Sequence, residues 1–248
     1  MIVKKMAKEK NLNLVAGFCW RYANHIVDTF DQIHNHNAIG DIVAYYATYY
    51  TSPVKPMPPA STRKPGMTDL EWQLRNWYNF AWLGGDGYVE QCIHSVDKVA
   101  WLMKDQPPIK CTATGGRMIS NFQGNIFDHM TVVYEYANGV RATVAQRQIP
   151  GCYNDNSDYI MGANGYAIVN GWKDQHEIVT DGKTWQSEVK KNDMYQQEHD
   201  ELFAAIRSGK PINNGVRMTN STAMAIMARM SAYTGQEDLT RVVKEPMT

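Results

Sequence analysis

A carboxylate and an imidazole four residues apart, Glu90 and His94, stand in the run Gly84-Gly85-Asp86-Gly87-Tyr88-Val89-Glu90-Gln91-Cys92-Ile93-His94-Ser95-Val96-Asp97-Lys98. If a helix starts near Asp86, the pair shares one face and Asp97 lies a further turn along. Val89, Ile93, Val96, Val99, Ala100 and Leu102 give that helix an apolar stripe to bury. Acid and base groups beside a buried stripe acquire shifted pKa values, which is what proton-transfer chemistry needs. The bland alternative is a weak electrostatic pair on a solvated helix face. The preceding glycines favour a ligand, because at Gly85 and its neighbours a ligand can come close to backbone and to a helix N-terminus. Gly85-Asp86-Gly87-Tyr88-Val89-Glu90 has the first two glycines of a dinucleotide fingerprint but Glu where the third belongs. The residues before it make a poor strand, so the turn is not read as a phosphate loop.

The elements that must hold these groups are legible on both sides. Trp72, Trp77, Tyr78, Phe80 and Trp82 precede the glycines and are either core or the wall of a ligand pocket, since sugars stack their apolar faces on aromatic rings. Before them, residues 52–68 carry Pro53, Pro56, Pro58, Pro59 and Pro65, which block helix and ladder alike. A structureless loop this long is functional or disordered. Residues 1–10 read as the end of an amphipathic helix and 12–18 as a short buried strand. A helix with Ile26, Val27, Phe30 and Ile33 on one face ends near Gly40, and 41–51 form a long strand. His34 and His36 read as solvated, and no third ligand is spaced to make them a metal site.

Downstream, residues 109–118, 127–137 and 140–149 are strands, with Asn138-Gly139 as a hairpin signal. Further strands flank turns at Ala163-Asn164-Gly165 and Asp181-Gly182, and helices over 194–208 and 216–233 stop at Gly209 and Gly235. The methionines of the last helix, Met218, Met224, Met227 and Met230, read as core. The fold class is α/β (α+β): a large, mostly antiparallel sheet with helices on one face.

The chain has 248 residues, 44% of them hydrophobic, enough for one large domain or a domain plus a fragment. Lys and Arg number 25 against 25 Asp and Glu, and no long basic run occurs. That argues against nucleic acid or an acidic membrane surface and leaves a small molecule or a protein as partner. Cys19, Cys92, Cys111 and Cys152 lack C-x-x-C spacing, which argues against a zinc cluster and fits free thiols in a reducing compartment, although four could pair. No apolar run approaches the length of a membrane span, and the default location is the cytoplasm.

Several blocks occur in one order: Val15-Ala16-Gly17-Phe18 with Arg21-Tyr22; Ala38-Ile39-Gly40-Asp41-Ile42; Gly84-Gly85 leading to Ile93-His94-Ser95-Val96-Asp97; Gly162-Ala163-Asn164-Gly165; Glu198 to Pro211; and Ser231-Ala232-Tyr233-Thr234-Gly235. Together they resemble the glucose-fructose oxidoreductase, inositol dehydrogenase and rhizopine-catabolism (Gfo/Idh/MocA) family over almost the whole chain. The resemblance implies NAD- or NADP-dependent oxidation or reduction of a sugar, cyclitol or related polyol. It also implies two domains: a Rossmann domain, then an α/β domain whose sheet supports substrate binding and homo-oligomerisation.

Against that pattern, the glycine-rich strand-turn-helix and the Glu-Lys-Pro segment with the family's catalytic lysine are absent. Residues 1–18 therefore read as a Rossmann remnant and 19–248 as the substrate-binding and oligomerisation domain. A separate Rossmann domain becomes a candidate partner, and tight cofactor binding by this chain alone is not expected. An export signal would belong to the missing segment, and residues 1–18 should leave an unpaired apolar edge.

By the resemblance His94 is the general acid/base at the substrate hydroxyl. Glu90, where the family usually has Asp, is its orienting partner. Arg21 and Tyr22 belong at the cofactor–substrate junction, with Trp82, Gly85 and Asp97 as further substrate contacts, although Asp97 could equally pair inside the helix layer. Two other readings stand beside this one. A non-catalytic sugar-binding or oligomerising remnant would follow from the lost phosphate cradle. NAD-assisted glycoside hydrolysis is the other, though the histidine segment of such relatives differs from this one.

Overall fold

The computed structural model describes residues 2–119, 124–173 and 175–239. Helices α1 (Ile2–Glu9) and α2 (Asn24–His34) precede β1 (Ile42–Thr51). Three short helices follow, α3 (Asp69–Arg75), α4 (Ala81–Gly84) and α5 (Gly87–Glu90), and then α6 (Ile93–Leu102). Strands β2 (Lys110–Gly116), β3 (His129–Glu135), β4 (Arg141–Gln148), β5 (Ser157–Gly162), β6 (Gly165–Asn170), β7 (Gln175–Thr180) and β8 (Lys183–Gln186) come next. Helices α7 (Met194–Ser208) and α8 (Gly215–Thr234) and the short β9 (Asp238–Leu239) complete the described elements.

The strands form one sheet in the order β8-β7-β6-β5-β1-β4-β3-β2-β9. Only β1 with β4 is parallel; the other pairs are antiparallel. The two-residue period of a strand divides its faces. Tyr45 lies across from Ala142 and Ile160, and Ala47 from Val144, and all are buried in the core with α6 and α8. The opposite face presents Tyr46 beside Tyr159 and Thr143. The fold is the expected α/β class.

Two glycines of the expected turn have a steric reason. A Cβ on Gly162 would stand 2.1 Å from the Ile39 carbonyl oxygen, and one on Gly165 would stand 2.2 Å from that of Val179. Both lie far inside contact distance, so only glycine lets these backbones meet. Helices α7 and α8 end where expected, at Gly209 and Gly235 in the left-handed conformation.

The strand expected over 12–18 reduces to one bridge, Leu14 with Asn213. The Leu14 N–H donates to Ile212 O at 2.8 Å and its carbonyl accepts from Asn214 N–H at 2.8 Å. The partner segment turns into α8 at Gly215, so the ladder has nowhere to continue. His34 also differs from its solvated reading: Nε2 lies 2.9 Å from Leu102 O and ties the end of α2 to the end of α6.

Candidate active site

The glycine turn is fixed from two sides. Gly85 (φ +79°) closes α4 and Asp86 (φ +92°) opens α5. Asp86 is fully buried; Oδ1 accepts from Tyr88 N–H at 3.2 Å, and Oδ2 accepts from Phe127 N–H at 2.9 Å and Tyr233 hydroxyl at 2.6 Å. Arg229 of α8 donates to the carbonyls of Ala81 and Gly85 at 3.3 and 3.2 Å. Arg229 thus adds a cationic donor at the C-terminal end of α4, where the Ala81 carbonyl also accepts from Gly85 N–H at 2.9 Å.

One continuous helix from Asp86 through Asp97 does not form. Helix α5 ends at Glu90, Cys92 N–H reaches back five residues to Gly87 O at 3.1 Å, and α6 starts at Ile93. A five-residue span locally widens the helix and shifts its register. The simple one-face argument for Glu90, His94 and Asp97 therefore fails.

His94 lies in the first turn of α6, its ring edge-on to Phe18 with centroids 6.5 Å apart. Its Nδ1 is buried without a hydrogen-bond partner. Burial, helped by the Lys98 cation, lowers its pKa from 6.5 to about 4, so the resting imidazole is neutral at neutral pH and a weaker base than a free one. The Glu90 carboxylate is held by its neighbour instead of by His94: Gln91 Nε2 donates to Glu90 Oε2 at 2.7 Å, and Tyr49 hydroxyl donates to Gln91 Oε1 at 2.8 Å. The brace Tyr49–Gln91–Glu90 was not legible in the spacing, because it joins a strand to the helix break.

The other expected site residues divide. The Arg21 guanidinium grips Asp97 with two bonds, Nε to Oδ2 at 2.8 Å and Nη2 to Oδ1 at 3.0 Å, and Asp105 with a third at 2.8 Å. Ser221 hydroxyl adds a donor to Asp97 at 2.7 Å. Arg21 and Asp97 thus join the 3-10 turn Cys19–Tyr22 to α6 and α8. Tyr22 is buried, its hydroxyl accepting from Asn214 Nδ2 at 3.3 Å. Trp82 is 60% exposed with its indole N–H on Gln73 at 2.7 Å. These contacts give each of the four a structural partner.

Lys98 was legible only as a charge in an apolar stripe. It is fully buried, ion-paired to Asp158 and bonded to Asn156 at 3.1 Å, while Tyr45 hydroxyl donates to Asp158 at 2.5 Å. Removing one member of such a pair leaves a buried charge uncompensated. The four cysteines are free, and burial pushes the Cys19 thiol up to about 11, which disfavours the nucleophilic thiolate. Among the described residues no three His, Cys, Asp or Glu side chains converge as a metal site. Nor is any helix there long and apolar enough to cross a membrane.

A family profile described as the GFO/IDH/MocA C-terminal domain matches residues 27–168. No curated protein matches the sequence. Among solved structures, UDP-N-acetylglucosamine 3-dehydrogenase from Acidithiobacillus ferrooxidans is similar at 19% identity and a TM-score of 0.69, over 94% of this chain and 66% of that one. Levoglucosan dehydrogenase, solved with NADH and levoglucosan, is similar at 16% identity and a TM-score of 0.74, over 94% and 68%. Aldose-aldose oxidoreductase from Caulobacter crescentus, solved with glycerol, gives 15% identity and a TM-score of 0.71, over 95% and 66%. The chain spans about two thirds of the length of these structures, and at such identities the likeness establishes the fold.

Proposed function

Since the chain belongs to the GFO/IDH/MocA C-terminal domain family, we propose that it is the substrate-binding and assembly part of a nicotinamide-dependent oxidoreductase of a sugar, cyclitol or related polyol. The observation that carries this reading is His94 in the first turn of α6, its ring nitrogen Nδ1 buried without a hydrogen-bond partner and its position close in sequence to a braced carboxylate. Oxidising a carbinol requires a base for the hydroxyl proton, and a neutral imidazole accepts it. His94 is that base, and it returns the proton in the reverse direction. Glu90 is the nearby carboxylate, held to its rotamer by Gln91 and Tyr49 instead of by His94. Arg21 and Asp97 are assigned to positioning α6 against α8, which fixes where His94 stands.

The nicotinamide, NAD or NADP, supplies the hydride acceptor when bound. The glycine turn does not fit a pyrophosphate. Its α5 N-terminus is already occupied by the Asp86 carboxylate, which accepts from Tyr88 N–H and would repel a second anion. The proposal therefore gives this chain the substrate and the proton, with the dinucleotide held elsewhere, by a Rossmann domain of which residues 1–18 would be the last part. This same observation favours the second reading, a sugar-binding or oligomerising module without chemistry of its own.

Binding of sugars and cyclitols, followed through the His94 ring resonances, tests the proposal. A ligand of this class is expected to move them. A broad panel that leaves them still would sink the assignment.

A further inference from the structure

The proline-rich segment after β1 forms one side of a cleft that the acid–base reading leaves unused. The cleft encloses about 230 Å³, below the roughly 300–1,000 Å³ of a complete ligand pocket, so it suits part of a ligand. Pro53, Pro56, Met57, Ile126 and Phe127 contribute apolar walls, and the prolines have little freedom to lose on binding. Among the described residues no lysine, arginine or histidine lines it, so there an anionic substituent would lose hydration without compensation.

The polar groups lining the cleft adjoin the proposed reaction site. Tyr78 hydroxyl donates to Gln148 Oε1 at 2.8 Å, and Glu90 and Tyr49 lie within electrostatic reach of that phenol. Gly87, the first residue of α5, packs so closely that a Cβ there would stand 2.8 Å from Gln148 Oε1. The helix that ends in Glu90 therefore begins against the cleft. Asp128 and Asn79 are engaged: Asp128 accepts from Met118 and Ile119 N–H, and Asn79 donates to Lys55 O. Gln148 is 5% exposed and its Nε2 has no acceptor. A buried donor without an acceptor is costly and gains from one.

We infer that the cleft takes a short acyl group carried by the substrate, its alkyl part against the apolar walls and its carbonyl accepting from Gln148 Nε2. The inference rests on the reading of His94 and Glu90 as the reacting end. The Gln148 donor is covered by its neighbours, so binding requires its amide to turn toward the cleft. The substrate is then an acylated sugar or polyol.

A methyl-detected NMR titration of the chain with N-butyrylglucosamine and with glucose tests this. The acylated sugar should shift the Met57 and Ile126 methyls and bind roughly tenfold more tightly or better, given about 0.8 kcal/mol per buried methylene. Ile126→Trp, and independently Met57→Trp, should reduce the ratio of the two affinities to about one. Equal affinities, or methyls unmoved by the acylated sugar, would overturn the cleft assignment; a His94 ring that still responds to glucose would leave the oxidoreductase reading standing. Methyls that respond while the His94 ring stays still with both sugars would keep the acyl site and overturn the oxidoreductase reading.

Discussion

At the scale of single residues, the state of His94 decides what the site can do. The unfolded chain takes up this proton near pH 6.5, whereas the folded chain resists until about 4. Between those values the unfolded state binds more protons, so the contribution to stability is complete above pH 6.5 and is lost as pH falls through about 4. NMR titration of the His94 ring is expected to give a midpoint near 4. A midpoint near 6.5 in the wild type would show that burial does not govern this imidazole. His94 and Glu90 were legible as a pair from sequence, but their partners were not. Gln91 and Tyr49 meet across 42 positions, and Arg21 and Asp97 across 76, separations at which spacing carries no signal.

At the scale of elements, the helix break matters most. A periodic apolar stripe predicts one helix, whereas α5 and α6 are separate at the point where Cys92 N–H reaches back five residues to Gly87 O. Periodicity reports which residues are buried and is blind to a one-residue shift in register. The strands and the two last helices were legible because turn glycines punctuate them: Gly139, Gly182, Gly209 and Gly235 all have positive φ. Gly162 has a different reason, the approach of Ile39 O. Gly162→Ala is expected to cost about 3 kcal/mol or more in urea unfolding, as a substitution that must displace backbone. Gly116→Ala, whose Cβ would meet only His129 ring atoms at 3.6 and 3.9 Å, should cost much less. Equal losses would contradict the steric account.

At the scale of the whole molecule, two surfaces ask for cover. The sheet face bearing Tyr46, Tyr159 and Tyr166 is stacked and partly exposed, with Tyr46 and Tyr159 centroids 5.9 Å apart. Ile2, Val3, Met6 and Leu12 form an exposed apolar set at the other surface. Exposed apolar area of this kind marks an interaction site. We propose that copies of the chain pair through the sheet face; sedimentation should show an oligomer that Tyr46→Glu dissociates, and a wild-type monomer at all concentrations would refute it. The role of His94 as the base is decided by nicotinamide reduction by the full natural polypeptide, wild type against His94→Ala. Turnover with a sugar or cyclitol is expected, falling by roughly 10²–10⁴ in a variant that remains folded. An equal rate in the folded variant would contradict the assignment of His94 as the base.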